Sequence, residues 1–318
     1  MTSEDTDNNE VMDEVALTSA FGAVVALNSR VPEDSLTGSM LGTERAGHGV
    51  AFGDTGLIVT IGFLITEADS VFVTTASGQT LQAHVVAYDQ ATGFGLVQAL
   101  GRLDATPVPL GSSVELKVGE TVVLAGHGGK SDAVHQEVIA CREFAGYWEY
   151  LLEDALFTTP AHQNWGGCGL FNGKGELVGI GSLLVQHMGS SGEVGDANMV
   201  VPIDLLKPIL DDLVMFGRVQ KPARPWLGLI TVEHQGGLVV ANVVDGGPAD
   251  DSDIEVGDQI MEVAGQPVSE LASMFRLIWS LGEAGIDVPL TVARDGETFE
   301  ITIESADRNA LLTAPQIH

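Results

Sequence analysis

Short β-rich runs separated by Gly, Asp and Ser fill the sequence from Val24 to about Val201, and this pattern restricts the fold more than any other feature. Many short strands joined by glycine-rich turns are typical of an all-β sandwich or barrel. The length allows two barrels packed together, so we predict a mostly β domain of this type. The runs cover residues 56–60, 71–75, 81–88, 95–100, 114–116, 121–125, 176–180 and 199–202.

A helix and a linker are predicted after the β-rich part. Asp204 is suited to cap a helix whose apolar residues keep helical spacing up to Phe216, and Gly217 is placed to end it. Residues 220–225 contain two prolines and two basic residues, a composition typical of a short semi-rigid linker. We therefore place the boundary between two domains at this segment.

A smaller mixed domain is predicted after the linker. A chain of 318 residues suits one large and one small core. Strands are expected near residues 227–231, 238–243, 259–263, 288–294 and 298–303, with a helix over 269–281. The predicted division is an acidic disordered tail at 1–14, a double-barrel domain at 15–219, a linker at 220–225, an α+β domain at 226–308 and a C-terminal tail at 309–318.

The charge of the chain is strongly negative. Forty-four acidic residues against 14 basic ones give a formal net charge of -30, which repels phosphate backbones and anionic lipid headgroups. We expect neither nucleic acid nor a membrane surface as a partner. The acidic character is attributed to a solvated surface and not to any chemistry of the protein.

The N-terminal residues lack the pattern of a secretory signal. Residues 1–14 carry six acids and no Lys or Arg, whereas a signal needs a basic region before its apolar core. The apolar stretch from Ala16 to Leu27 is shorter than the roughly 20 residues that span a bilayer. The sequence therefore predicts a cytoplasmic location.

The sequence carries no recognisable metal or cofactor motif. Cys141 and Cys168 lie in no CxxC or Cys/His spacing, and the eight histidines form no HxxxH or HExxH pattern. Residues 129–131 look like the end of a phosphate-binding loop, but the first glycine of that loop would be Leu124. We expect no metal and no cofactor.

Two ordered sets of sequence blocks resemble a known protein family. Motifs of the HtrA/Deg trypsin-like serine proteases are matched, in order and spacing, by residues 47–50, 56–60, 89–96, 109–112, 118–120, 173–180 and 201–204. Motifs of the PDZ domain that follows the protease in this family are matched by residues 225–229, 246–249, 254–260, 263–268 and 294–296. The resemblance implies a trypsin-like double β-barrel followed by a PDZ domain. It also implies a bacterial protein with a role in protein quality control, and homo-oligomers of the trimer type.

The same motifs locate the three catalytic positions of the family. The histidine position falls on Phe63, the aspartate position on Gly93 and the serine position on Gly166. Serine proteolysis needs a hydroxyl, an imidazole that takes its proton and a carboxylate that orients the imidazole. Phe and Gly supply none of these groups. We therefore expect a degenerate member, a pseudoprotease, in which no residue is catalytic.

An alternative hypothesis on catalysis stays open. The chain could be a serine-type endopeptidase of the HtrA/Deg family with weak or non-standard catalysis. Cys168 and His162 lie close to Gly166 in the sequence, and a Cys/His pair can form a thiolate nucleophile. Against this, a lone cysteine in a β-rich core is usually a small buried hydrophobe.

Phe63 and Trp165 place large rings at the substrate cleft of the family, and we expect them to fill it.

The second domain is the predicted binding site. Phe275 and Ile278, three apart on the predicted helix, are candidates either to line a side-chain pocket or to pack in the core. The strand after the first loop is expected to accept an extended peptide. We predict binding of peptides or protein C-termini, in a scaffold or regulatory role. The loop that holds a terminal carboxylate in the family corresponds to Trp226, Leu227, Gly228 and Leu229.

Overall fold

The computed structural model describes residues 12–148, 150–189 and 192–313. Within these residues the chain forms two closed β-barrels and one open sheet, and each takes its strands from one stretch of the sequence. The prediction of a mostly β fold, with a double barrel followed by a smaller α+β unit, is confirmed. We propose residues 220–225 as the boundary between the barrels and that unit.

The first barrel is closed by antiparallel pairing. Its six strands in the described residues are β1 (Val24–Arg30), β2 (Glu44–Phe52), β3 (Leu57–Ile61), β4 (Ser70–Thr74), β5 (Thr80–Tyr88) and β6 (Phe94–Ala99). They follow the order β1-β2-β3-β6-β5-β4, and β1 also pairs with β4. In β4 the side chains alternate, so that Val71 and Val73 are buried while Phe72 is exposed. This period of two is the pattern that a strand with one face on a core requires.

The second barrel has the same plan. Six more strands in the described part of the chain are β7 (Thr121–Ala125), β8 (Ala133–Gly146), β9 (Tyr150–Thr159), β10 (Gly169–Phe171), β11 (Leu177–Met188) and β12 (Val194–Pro202), in the order β10-β11-β12-β9-β8-β7. The sequence predicted β7 and parts of β11 and β12, but missed the long hairpin of β8 and β9. The predicted strand at 114–116 is wrong, because these residues form a turn.

Short helices join and flank the barrels. None among the described residues is long and apolar enough to cross a membrane. The helices of the described residues are α1 (Glu14–Phe21), α2 (Gly38–Leu41), α3 (Leu210–Phe216), α4 (Leu271–Ser280) and α5 (Arg308–Leu311). Of these, α4 belongs to the smaller unit.

The helix predicted from Asp204 begins later than expected. A single 3-10 turn covers Ile203–Leu205, and α3 starts only at Leu210, because Pro208 has no amide hydrogen for a continuous helix. Gly217 ends α3 with a φ of 70°, as predicted. The Asp204 carboxylate instead accepts hydrogen bonds from the Ser113 and Val114 amides at 2.6 and 3.1 Å. These bonds explain the turn at 114–116.

The third sheet forms the smaller unit. Its strands in residues 225–304 are β13 (Leu229–His234), β14 (Gly237–Val243), β15 (Gln259–Val263), β16 (Gln266–Pro267), β17 (Asp287–Arg294) and β18 (Glu297–Glu304). Their order is β13-β14-β15-β17-β18, with β16 beside β15, so β13 is an outer strand. Apolar residues of α4 pack on this sheet in a core separate from that of the barrels.

Both ends of the described chain are held by the barrels. Residues 1–11 of the predicted N-terminal tail lie outside the described residues, but Asp13 caps α1 by accepting from two amides at 3.0 Å. The C-terminal tail, predicted at 309–318, is described up to Thr313, whose amide donates to Glu67 at 3.0 Å. Gln90 donates to Asn309 at 3.0 Å. The described parts of both segments are therefore packed.

Candidate functional site

Phe63 lies on the 3-10 turn Gly62–Leu64 that follows β3. The guanidinium of Arg45 holds the turn by donating hydrogen bonds to the carbonyls of Phe63 and Thr66 at 2.8 and 2.9 Å. Burial lowers the pKa of Arg45, although Glu67 opposes this effect. The Thr66 hydroxyl donates a hydrogen bond to the carbonyl oxygen of Gly62 at 2.8 Å, which closes the turn. Phe63 is therefore placed on a rigid, hydrogen-bonded support.

Gly93 lies in the turn between β5 and β6 with a φ of 81°, a conformation that favours glycine. Its carbonyl accepts from the Gly62 amide at 2.7 Å, which joins this turn to the one that carries Phe63. A Cβ built on Gly93 would stand 2.8 Å from the hydroxyl of Tyr150. That hydroxyl donates to Thr92 O at 2.7 Å, and burial raises the pKa of Tyr150 well above its usual range. A neutral phenol therefore occupies the space beside Gly93.

Gly166 lies before β10, on the loop opposite Phe63. Its carbonyl accepts from the His48 amide at 2.9 Å, and a Cβ built on Gly166 would stand 3.3 Å from Phe63 Cζ. The rings of Phe63 and Trp165 pack with centroids 5.7 Å apart. The chain therefore brings the positions of Phe63, Gly93 and Gly166 together at the junction of the two barrels. None of these three side chains has a nucleophile, a base or a carboxylate.

The loop before Gly166 uses its backbone donors internally. The Asn164 amide donates to His162 Nδ1 at 3.0 Å, and His162 Nε2 lies 3.1 Å from Asp132 O. Because Nδ1 accepts a hydrogen bond, we assign a proton to Nε2, which also lies 3.3 Å from Asp132 Oδ1. The Asn164 amide is thus directed to a histidine ring.

Cys168 lies directly before β10 and is fully buried in a core cluster of the second barrel. Its Sγ lies 2.9 Å from the carbonyl oxygen of Asn164, the arrangement of a thiol that donates its proton. Burial raises the pKa of Cys168 well above its usual value, and Asp132 adds to this effect. Among the hydrogen bonds of the described residues, none joins Cys168 to His162. The chain does not place this pair as a nucleophile and its base.

A group of histidines beside Gly166 was missed by the sequence analysis. His48 Nδ1 accepts from the His127 amide at 3.1 Å, and His127 Nε2 lies 3.0 Å from Thr75 O. Burial lowers the pKa of His48, Asp132 opposes this, and the neighbouring histidines lower it further. These residues are up to 114 positions apart, so no local pattern predicts that they meet. The one local signal is that His48 stands between two glycines, Gly47 and Gly49.

This histidine group offers no metal site. No three His, Cys, Asp or Glu side chains are arranged to hold a metal ion in the part of the chain that is described. The absence of a metal and of a cofactor stays a prediction. The lowered pKa favours the neutral form of His48, a form that can accept a proton.

The predicted carboxylate loop of the smaller unit is buried and well hydrogen-bonded. Trp226 pairs with Ala306 through two backbone hydrogen bonds of 3.1 and 3.0 Å. Gly228, with a φ of 77°, accepts from the Val244 amide at 2.9 Å. The loop leads directly into the outer strand β13, which starts at Leu229. The role of this loop in holding a terminal carboxylate stays a prediction.

Phe275 and Ile278 lie on the inner face of α4. Both are buried in the core of the smaller unit, and the Phe275 ring stacks on Trp279 with centroids 5.7 Å apart. Of the two roles predicted for them, their burial matches core packing. Their role in peptide binding stays a prediction.

Comparison with known proteins gives two matching families. The model of the trypsin-like peptidase domain matches residues 47–180, and that of the PDZ domain matches residues 225–304. A probable periplasmic serine endoprotease, DegP-like, of Pseudomonas fluorescens is 29% identical over 275 residues, which cover 82% of this chain and 56% of that protein. The chain thus spans just over half the length of this relative.

Two further similarities point the same way. The serine protease Do-like HtrA of Lactobacillus helveticus is 26% identical over 306 residues, which cover 87% of this chain and 73% of that protein. The crystal structure of the serine endoprotease from Yersinia pestis has a TM-score of 0.53 at 22% identity, and covers 94% of this chain and 99% of its own. At this identity the structural likeness concerns the fold.

The expected cytoplasmic location is wrong. The Pseudomonas relatives are named periplasmic serine endoproteases, which contradicts it. The expectation was based on the acidic composition of residues 1–14 and on the short apolar stretch after them. Local composition at one end of a sequence does not determine the compartment of a protein.

Proposed function

We propose a function on the premise that this chain belongs to the HtrA family, with a trypsin-like double barrel followed by a PDZ domain. In this proposal the PDZ domain binds peptides or protein C-termini, and the double barrel is a non-catalytic platform. The proposal of a non-catalytic barrel rests on one observation, that Phe63, Gly93 and Gly166 are the residues at the predicted catalytic positions. The resulting protein is a scaffold or regulator.

The chemistry of peptide hydrolysis supports a non-catalytic barrel. Gly166 has no hydroxyl that could attack a carbonyl, and Phe63 has no nitrogen that could take a proton. Removal of the nucleophile or the base of a serine protease lowers turnover by about a million-fold. Here both are replaced, and Tyr150 takes the space of the orienting carboxylate. The remaining groups offer no route to an acyl intermediate.

Two further observations support the same proposal. The Phe63 and Trp165 rings lie in contact in front of Gly166, where a substrate carbonyl would have to approach. The Asn164 amide donates to His162, so this donor is not free for a developing oxyanion. A bound peptide bond would therefore meet the two rings and would lack the Asn164 amide as a donor.

A second candidate is a serine-type endopeptidase with weak or non-standard catalysis. The names of the relatives, a DegP-like serine endoprotease and a Do-like serine protease, favour this candidate over the non-catalytic one. Within the site, His48 is the group that would have to supply a base, since its amide bonds to Gly166 and burial lowers its pKa. A nucleophile for this candidate would have to come from elsewhere.

Location and assembly are part of the proposal. We extend to this chain the periplasmic location that is named for the Pseudomonas relatives. The PDZ domain supports peptide binding in general, and the family supports a homo-oligomer, of which the trimer is the form implied by resemblance. Because single peptide contacts are weak, an oligomer would raise the effective affinity for partners with several exposed ends.

The first test is incubation of unfolded casein with the purified chain. A DegP-like relative at the same concentration is the positive control, and a Cys168→Ala variant is the internal control. We expect no cleavage by either form of this chain. Cleavage by the wild-type chain would reject the non-catalytic barrel, and its loss in Cys168→Ala would assign the activity to the thiol.

A screen of immobilised peptides with free C-termini, performed with the full chain, tests the PDZ half of the proposal. Capture of peptides that share C-terminal side chains supports a peptide-binding function. Capture that does not depend on the free carboxylate contradicts a role for the loop at residues 226–229 in binding C-termini.

A further inference from the structure

Imidazole rings link the two barrels at their junction. His48 lies on β2 of the first barrel, and its Nδ1 accepts from the His127 amide, in the loop after β7, at 3.1 Å. The ring of His127 returns to the first barrel, where its Nε2 lies 3.0 Å from Thr75 O. Both contacts are partly buried. One link between the barrels therefore depends on a histidine nitrogen as the acceptor of a backbone amide.

His162 uses its ring in the same way inside the second barrel. Its Nδ1 accepts from the Asn164 amide at 3.0 Å, and its side chain is only 3% exposed. The loop that contains Asn164 leads to Gly166, whose carbonyl accepts from the His48 amide at 2.9 Å. This loop is therefore tied to both histidines, to His162 by its ring and to His48 by its backbone.

Both ring contacts require an unprotonated Nδ1. A neutral imidazole has one N–H donor and one acceptor nitrogen, whereas an imidazolium has two donors and no acceptor. Protonation of His48 therefore removes the acceptor of the His127 amide, and protonation of His162 removes that of the Asn164 amide. Because a buried amide that loses its acceptor costs free energy, each contact favours the neutral ring.

The groups that face His48 are Asp132, His127 and His162, which come from two loops of the second barrel. Burial lowers the pKa of His48, Asp132 opposes this effect, and the two histidines lower the pKa further. The Asp132 carboxylate meets the His48 ring at Gly126, where a Cβ would collide with the carboxylate and stand 2.9 Å from His48 Cε1. Asp132 also lies 3.3 Å from His162 Nε2. Since Asp132 is the carboxylate among these groups, protonation of all three rings leaves an excess of positive charge.

From this geometry we propose that the barrel junction is an acid-responsive switch, in which protonated His48 and His162 release the His127 and Asn164 amides and loosen the loop before Gly166. The switch acts within the double barrel and goes beyond the peptide-binding function proposed above. Because the pKa of His48 is lower in the folded chain than in the unfolded one, protons bind the unfolded chain more readily. The contribution of His48 to stability is therefore complete above the unfolded pKa of about 6.5 and declines as pH falls below it.

Hydrogen exchange of single amides, followed by NMR on the full chain from about pH 7.5 to about pH 5, tests the switch. The Gly62 amide, which bonds to the carbonyl of Gly93, is the internal reference. After correction for intrinsic exchange at each pH, we expect protection of the His127 and Asn164 amides to fall about tenfold relative to Gly62. An equal fall at Gly62 would indicate general acid unfolding and would overturn the switch.

His48→Asn keeps an oxygen acceptor near the position of Nδ1 but cannot take a proton. In this variant the His127 amide should keep its protection down to about pH 5, whereas the Asn164 amide should still lose it. His84→Asn, an exposed change of the same kind on β5, is the matched control and should behave as the wild-type chain. Constant protection of either amide in the wild-type chain, or an undiminished fall at His127 in His48→Asn, overturns the switch.

The reactivity of Cys168 gives a second measurement that leaves the histidines unchanged. Its Sγ lies 2.9 Å from Asn164 O, so a loosened loop is expected to expose it. In Cys141→Ser, where Cys168 is the remaining thiol, the rate with 4,4′-dithiodipyridine is divided by that of the urea-unfolded chain at the same pH. We expect this ratio to rise about tenfold between about pH 7.5 and about pH 5. A ratio that does not rise means that the loop stays closed in acid, and it overturns the switch.

Discussion

The ring of Phe63 lies against Gly166, so that a Cβ on the glycine would stand 3.3 Å from Phe63 Cζ. These two positions are the ones predicted from the HtrA/Deg motifs to align with the base and the nucleophile. Here a large apolar ring faces a residue without a side chain, and the two fit together. The pair joins the turn after β3 to the loop before β10, where the two barrels meet.

Gly166→Ser restores the hydroxyl alone and tests whether a base is present. We expect no labelling by a fluorophosphonate probe above that of the wild-type chain, because Phe63 cannot take the proton of the hydroxyl. Labelling is measured by in-gel fluorescence against an active DegP-like relative. If Gly166→Ser is labelled and Gly166→Ser with His48→Ala is not, His48 acts as a base and the endopeptidase candidate gains support.

Phe63→Ala removes one ring of the aromatic pair. We expect a loss of about 2 kcal/mol in the free energy of unfolding, since Phe63 is half-buried and packs on Trp165. Urea unfolding measures the loss. Phe72→Ala, at an exposed ring of β4, is the control and should change stability by less than about 0.5 kcal/mol. Equal losses in the two variants would show that Phe63 has no special packing role.

Gly93→Ala tests the contact with Tyr150. Any side chain at Gly93 is strained by its positive φ, and a Cβ would also stand 2.8 Å from the Tyr150 hydroxyl. Gly78→Ala has a similar φ of 88° with no atom within 4 Å, and is expected to cost only about 1 kcal/mol. We expect Gly93→Ala to cost about 2 kcal/mol more in urea unfolding. Similar costs would mean that Tyr150 moves aside freely.

The two thiols are expected to differ in reactivity. In the folded chain at pH 8, a disulfide reagent such as Ellman's reagent should modify Cys141, which is exposed, and leave Cys168 unmodified until the protein unfolds. Burial raises the pKa of both thiols, and does so strongly for Cys168. Cys141→Ser should therefore abolish the reaction of the folded chain. Rapid reaction of folded Cys141→Ser would support Cys168 as a reactive nucleophile.

Stability at low pH should depend on Asp258. Hydrogen bonds from Arg294 at 2.6 and 2.7 Å lower the pKa of this carboxyl, partly offset by burial. Its contribution to stability is therefore complete above the unfolded pKa of about 3.9, and is lost as pH falls through the lower folded value.

Asp258→Asn should cost about 1.5 kcal/mol at pH 7, because it removes the charged acceptor of two Arg294 hydrogen bonds while the contact of Arg294 with Glu255 remains. Below about pH 4 the gap between variant and wild type should narrow. Urea unfolding between pH 7 and pH 2.5 measures both effects, with exposed Asp295→Asn as the control. A gap that stays constant over this range contradicts a role for the ionised carboxylate.

Much of the architecture followed from local pattern. The succession of short β-rich runs separated by Gly, Asp and Ser predicted the barrels, because many short strands with glycine-rich turns are typical of such folds. The helix from Asp204 was mispredicted, since a suitable cap was in the sequence but its carboxylate is used by Ser113 and Val114, about 90 positions earlier. The hairpin of β8 and β9 was missed, because half-exposed strands such as β8 lack a strong apolar run.

The sequence by itself determined the two-domain order and predicted that Phe63, Gly93 and Gly166 align with the catalytic positions of the HtrA/Deg motifs, because they lie at fixed offsets inside recognisable blocks. Only the tertiary structure decided what surrounds them: the phenol of Tyr150 beside Gly93, and Tyr147 paired with Thr231. These contacts join residues that are 57 and 84 positions apart. Periodicity and spacing act over a few residues, whereas such contacts are selected by the packing of whole barrels and sheets, so no local pattern specifies them.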